Sequence, residues 1–203
     1  MDDPRRKNHK FDYSNSESSL QQYSSLLLSS YENVDDESLK QFFEILLKVG
    51  QNGNLLFFAG NGGSASIAEH AACDIAKGAF FENKFRIRAL SLTSNMALIS
   101  AVSNDFGYEN IFSFQLQTLA TNEDVLVLIS SSGDSRNIVE AAKTAREIGM
   151  KIIGLTGFSG GALRELADIS LHVNAQHYGV VEDVHMALIH SVTDRLQRSF
   201  DKN

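Results

Sequence analysis

The chain has 203 residues, 43% hydrophobic and 21% charged, with a formal net charge of −7. This is the composition of an ordinary globular protein with one large domain; its acidic balance argues against nonspecific nucleic-acid binding, and no run approaches the roughly 20 apolar residues of a membrane span. The single cysteine, Cys73, excludes an intrachain disulfide, and the charged N-terminus lacks a secretory h-region, so the expected location is cytoplasmic.

Residues 1–17 are polar and charged and read as a disordered tail, leaving 18–203 as one domain. Segments 18–30 and 36–49 read as two helices of an N-terminal arm. In the second, Leu39, Phe42, Phe43, Leu46 and Leu47 recur at helical spacing, and Asp35 or Asp36 can cap it. Apolar strand candidates at 54–59, 88–92, 124–129, 151–155 and 169–173 then alternate with helix candidates at 64–77, 96–103, 111–119, 135–148, 162–166 and 180–200. Short apolar strands isolated by helices predict an α/β fold, a parallel sheet covered on both faces. Gly149 suits the position after a helix. The arm helices need an apolar surface to pack on, either their own domain or a neighbouring subunit.

Two turns carry the first chemical signal. Leu55-Leu56-Phe57-Phe58 breaks into Gly60-Asn61-Gly62-Gly63-Ser64 and enters a helix, a geometry that presents free backbone N–H groups to an anion. The turn lacks the Gly-Lys-Ser/Thr ending of a P-loop and the spacing of a dinucleotide fingerprint. Glycines let a ligand approach the backbone, and Asn61 and Ser64 can donate to its oxygens; a plain strand-to-helix turn is the alternative. Ser130-Ser131-Ser132-Gly133-Asp134-Ser135 repeats the design with several hydroxyls converging on a helix start, a nest that holds phosphate with neutral donors. Serine capping alone accounts for one of these serines. Two such turns in one domain suggest one small phosphorylated ligand.

The second signal is ionisable. His70 and Asp74 are four apart on a helix and share a face. Glu182 and His190, eight apart on the last helix, differ by about 80° around the axis and can border one groove. Two histidines and two carboxylates can bind a divalent ion such as zinc or supply a general acid and base. The competing reading makes His70 a satisfied core residue and Glu182 a solvated charge, and Asp183 and His185 are rivals on the same helix. Cys73 reads as a small core residue.

In their order and spacing these motifs, with Asn104-Asp105-Phe106-Gly107, Leu155-Thr156-Gly157, Gly160-Gly161 and the stretch from Glu182 to His190, resemble the sugar isomerase (SIS) domain family, and within it the phosphoheptose isomerases, over residues 20–200. The resemblance implies a single SIS domain with a five-stranded parallel sheet flanked by helices, and a homotetramer with active sites at subunit interfaces. It implies aldose–ketose isomerisation of sedoheptulose 7-phosphate. Ser130, Ser131, Ser132 and Ser135 would hold the phosphate. Asn61, Gly62, Gly63 and Ser64, with Asn104, Asp105 and Glu182, would meet the substrate. Asp74 and His190 would be base and acid, and His70, Asp74, Glu182 and His190 would bind one zinc per subunit. The chain departs from the family in carrying Asp74 for glutamate and Glu182 for glutamine. Two carboxylates close together would repel without a metal, so the expectation is greater metal dependence. The rival readings are an isomerase of another sugar phosphate and a non-catalytic SIS protein, either an adaptor for a replication initiator or a sugar-phosphate sensor. A binding protein needs no ionisable residue at all four positions, and residues 1–17 are too short for a helix-turn-helix, so no attached DNA-binding domain is expected.

Overall fold

Five apolar runs form the strands β1 (Leu55–Gly60), β2 (Arg88–Ser91), β3 (Val125–Ser130), β4 (Lys151–Thr156) and β5 (Ile169–His172), all parallel, in the order β2-β1-β3-β4-β5. Each strand boundary falls within one residue of the sequence reading. The computed structural model describes residues 19–82 and 85–200; the segment 1–17, Ser18 and residues 201–203 lie outside the described residues.

Between the strands run the helices α1 (Ser19–Glu32), α2 (Asp36–Asn52), α3 (Gly63–Gly78), α4 (Met96–Phe106), α5 (Ser113–Leu119), α6 (Arg136–Ile148), α7 (Gly161–Leu166) and α8 (Tyr178–Phe200). Of the two candidate caps of α2 it is Asp35 that acts, accepting from the Ser38 backbone N–H at 2.9 Å. Two expectations are corrected. Helix α4 runs three residues beyond 103, so Asn104 and Asp105 occupy its last turn, and it stops at Gly107, whose φ of +94° suits glycine. The run 111–119 is not one helix: a 3₁₀ turn, Tyr108–Asn110, leads into Ile111 and Phe112, which dip into the core before α5 begins.

Strand periodicity divides the core in two. Leu56, Phe58, Val127, Ile129, Ile153 and Leu155 face α2, α3 and α8, while Phe57, Ala59, Leu126, Leu128 and Ile152 face α4, α5, α6 and α7. The arm packs on its own domain: α1 lies against α8, and α2 against α8 and β5. Leu20 and Leu28 of α1 remain exposed. This winding reverses direction between β1 and β3. In open α/β sheets ligands bind at such a point, beyond the carboxyl ends of the strands. The turns that follow β1 and β3 are the glycine turn and the serine loop.

Candidate active site

Gly62 starts α3 with φ +57°, and a Cβ on Gly60 would meet the Ser64 carbonyl oxygen at 2.4 Å, so the glycines are needed for the tight entry into the helix. Ser64 is buried rather than at the surface. The Asn61 carboxamide is held by the serine-loop side: Asn61 Nδ2 donates to Asn137 Oδ1 and Asn137 Nδ2 donates to Asn61 Oδ1, both at 2.8 Å, and the Tyr108 hydroxyl donates to Asn61 Oδ1 at 3.0 Å.

The serine loop is braced from beneath. Gly157 N–H donates to the Ser131 carbonyl at 2.9 Å, Leu163 N–H to the Gly133 carbonyl at 3.0 Å, and Ala162 N–H to Asp134 Oδ1 at 2.8 Å. Ser130 Oγ accepts from Gly133 N–H at 3.1 Å. Ser135 makes no side-chain cap bond, which leaves the first N–H groups of α6 to a ligand, and the buried Ser131 hydroxyl has no partner among the described residues. A cavity of about 420 Å³ opens here, lined by Ser132, Asp134, Ser135, Phe158, Ser159, Gln176 and Tyr178, with Asp134 Oδ1 taken up by the Ala162 N–H.

The ionisable cluster lies elsewhere on the same molecule. Helices α3 and α8 run side by side and parallel: Gly63 lies under Glu182, and Gly78 against Thr193 and Gln197. That register brings His70 and Asp74 level with His190. The two Nε2 atoms are 2.9 Å apart, and Asp74 Oδ2 is 2.9 Å from His70 Nε2 and 3.5 Å from His190 Nε2. Two imidazole lone pairs cannot face each other at that distance, so a proton or a cation must lie between them. The separations bracket the roughly 3.3 Å between neighbouring donors on a tetrahedral ion with bonds of about 2.0–2.1 Å. The donor set therefore fits a metal of the zinc type. A second cavity, about 370 Å³, adjoins the cluster and is lined by Asp74, Lys77, Phe81, His190, Thr193 and Gln197. From Tyr178 at the serine-loop cavity to His190, twelve residues of α8 span about 18 Å.

Glu182 is not one of the three converging donors. Its carboxylate sits over Gly63, where a Cβ would approach it to 2.4 Å. Burial, then the neighbouring Asp183 charge, raises its carboxyl above the ordinary carboxylate range; the repulsion comes from Asp183, not from Asp74 as the sequence suggested. The rivals resolve differently. Asp183 accepts a 2.6 Å bond from the Tyr23 hydroxyl of α1, whereas His185 is fully buried, its Nε2–H donating to the Thr156 carbonyl at 3.1 Å. Cys73 is exposed, not a core residue. Asn104 and Asp105 are exposed and paired with each other at 2.8 Å; the contact from their turn to Asn61 comes from Tyr108. Sequence reading missed Tyr108 and Asn137 because their partner, a carboxamide on another loop, leaves no local signature.

A parallel sheet in the order 2-1-3-4-5, with a serine-rich turn after the third strand and an ionisable cluster on the flanking helices, defines an open, doubly wound α/β domain. The family model of the SIS domain matches residues 21–157, and the chain belongs to that family. It is 36% identical over 164 residues to a phosphoheptose isomerase of Helicobacter pylori, a match covering 81% of this chain and 85% of that protein. Its structure superposes on a phosphoheptose isomerase from Neisseria gonorrhoeae with a TM-score of 0.80 at 30% identity, covering 88% of this chain and 95% of the other. A phosphoheptose isomerase from Francisella tularensis matches with a TM-score of 0.81 at 29% identity, covering 88% and 94%.

Proposed function

We propose that this protein is an aldose–ketose isomerase that converts sedoheptulose 7-phosphate to D-glycero-D-manno-heptose 7-phosphate, for nucleotide-activated heptose biosynthesis. The observation that carries the reading is the convergence of His70, Asp74 and His190 in a chain whose relatives are named phosphoheptose isomerases. A sensor or adaptor has no use for such a cluster.

Ser132 and Ser135, with the first N–H groups of α6, hold the phosphate without a cationic side chain. The glycine turn receives the sugar. Asp74 turns Oδ2 to both imidazoles, and its other oxygen takes the proton from the carbon beside the carbonyl; the resulting enediol receives a proton at the neighbouring carbon. His190 exchanges the proton of the substrate oxygen. Each such group contributes about 10²–10⁴-fold, and the phosphate anchor contributes through orientation. Zinc, held by His70, Asp74 and His190, would supply Lewis-acid polarisation of the carbonyl.

The span of about 18 Å along α8 exceeds the reach of one heptose phosphate. That supports a substrate shared between the serine loop of one subunit and the acid–base cluster of another, in the homotetramer that the family resemblance implies; the resemblance and the single cysteine support a cytoplasmic location for the proposed enzyme.

Proton NMR of the protein with sedoheptulose 7-phosphate tests the reading. An aldoheptose 7-phosphate anomeric signal should appear, slowed by chelation and restored by zinc. Absence of any aldose product from zinc-loaded protein would overturn it.

A further inference from the structure

Three sequence motifs meet at one side chain. Asn61 belongs to the glycine turn after β1, Asn137 to the first turn of α6 beyond the serine loop, and Tyr108 to the turn that follows Asn104-Asp105-Phe106-Gly107. We infer that Asn137 and Tyr108 are positioning residues that act on the substrate only through Asn61, setting the glycine turn in register with the phosphate loop. The inference rests on the isomerase reading and assigns two residues beyond it.

The geometry leaves little slack. The Asn61–Asn137 pair is reciprocal, with two bonds of 2.8 Å closing a ring between two carboxamides, and Asn137 is 1% exposed. A reciprocal pair fixes both separation and orientation, because rotating either amide breaks both bonds. The Tyr108 hydroxyl adds a third bond and fills the second lone pair of Asn61 Oδ1. Asn61 is thus left with one free amide hydrogen, so it can meet a sugar oxygen only as a donor. The strands beneath do not enforce this register at the turns themselves: β1 and β3 pair only as far as Gly60 with Ile129, where β1 ends, and β3 runs one residue further against β4. Beyond that point the carboxamide pair is, among the described residues, the side-chain hydrogen-bond tie between the loops.

The position of Asn137 separates it from the phosphate grip. Its carboxamide is committed to Asn61, so removing it should leave the hydroxyls and amides that hold a free phosphate in place. Reaction geometry is sensitive to this register, since a misplacement of about 1 Å costs about 10²-fold. One neutral hydrogen bond is worth about fivefold.

The test is a double-mutant cycle on kcat/KM for sedoheptulose 7-phosphate, with the dissociation constant of inorganic phosphate and the melting temperature measured beside it. Asn137→Ala should lower kcat/KM about 10²-fold while phosphate affinity changes less than about twofold. Tyr108→Phe, at a half-exposed tyrosine that leaves the fold intact, should lower kcat/KM about fivefold with phosphate affinity and melting temperature unchanged. Asn61→Ala, which also removes the donor to the sugar, should cost at least as much as Asn137→Ala, and adding Asn137→Ala or Tyr108→Phe to Asn61→Ala should cost nothing further. Additive losses, or a parallel loss of phosphate affinity, would overturn the inference. If Asn137→Ala unfolds, the Tyr108→Phe and Asn61→Ala pair decides alone. A wild type without turnover sinks the isomerase reading instead, and the same cycle is then read on sedoheptulose 7-phosphate affinity.

Discussion

The serine loop and the ionisable cluster of His70, Asp74 and His190 are built on opposite plans. The loop is backbone architecture: buried serines, a glycine at positive φ, and three backbone N–H groups from 157–163 holding it from beneath. The cluster is three side chains on the outer faces of two helices, with both histidines exposed. The proposed roles match these plans: a phosphate is a fixed shape that rewards a rigid nest, while proton transfer needs groups that change partners during the reaction. Rigidity and stability should therefore be concentrated in the loop, and chemistry without stability in the cluster.

The largest expected effect belongs to the cluster. Asp74→Asn should lower kcat by about 10²–10⁴-fold, while urea unfolding shows a stability within about 0.5 kcal/mol of wild type, as for surface positions generally. Mixing Asp74→Asn subunits with Ser132→Ala/Ser135→Ala subunits should restore turnover if the two halves of a site come from different chains. A large drop in stability on Asp74→Asn would erase the contrast. Next comes the loop. A Cβ on Gly133, at φ +72°, would sit 1.9 Å from the Gly160 carbonyl oxygen, a backbone atom that cannot step aside. Gly133→Ala should cost about 2–5 kcal/mol from left-handed strain and overpacking, and phosphate should no longer protect the protein in a thermal melt. Unchanged stability would mean the brace is not what holds the loop.

The same contrast explains what could be read in advance. The loop was legible as a turn into a helix because its signal is local: four serines, a glycine and a helix start lie within a few residues. The strands were legible because each is a short apolar run. The cluster required two helices to lie side by side, which spacing on either helix alone does not reveal. The eight-residue step from Glu182 to His190 illustrates the shortfall: their faces are compatible, but the step is about 12 Å along the axis, and Glu182 ends over Gly63. Cys73 was misjudged for the opposite reason, since three residues after His70 it lies about 60° from it, on the same exposed face. His185 and Asp183 could not be separated by periodicity, because which flank of α8 meets the sheet and which meets α1 is decided by the packing of the whole domain.

His185 joins the two plans, and its effect should be the smallest and the most dependent on pH. It ties α8, the helix of His190, to the carbonyl of Thr156, the residue before Gly157, whose N–H braces the loop. Burial is the main cause that pushes its pKa down to about 4 from an ordinary 6.5; the Thr156 hydrogen bond opposes that shift, and His172 adds to it. A histidine lowered in the folded state is neutral there while the unfolded chain still takes up a proton. Its contribution is therefore fully present above pH 6.5 and is lost as pH falls toward 4, by on the order of 3 kcal/mol in all. The substitution His185→Gln would keep a donor for the Thr156 carbonyl without a titrating group. Urea unfolding at pH 8 and pH 5 should show wild type losing about 2 kcal/mol more than His185→Gln across that interval. His172, lowered chiefly by burial and retained in both proteins, cancels to first order in the difference. Parallel stability profiles would show that the histidine already titrates as an exposed one, and that α8 is not locked to β4 as the buried contact requires.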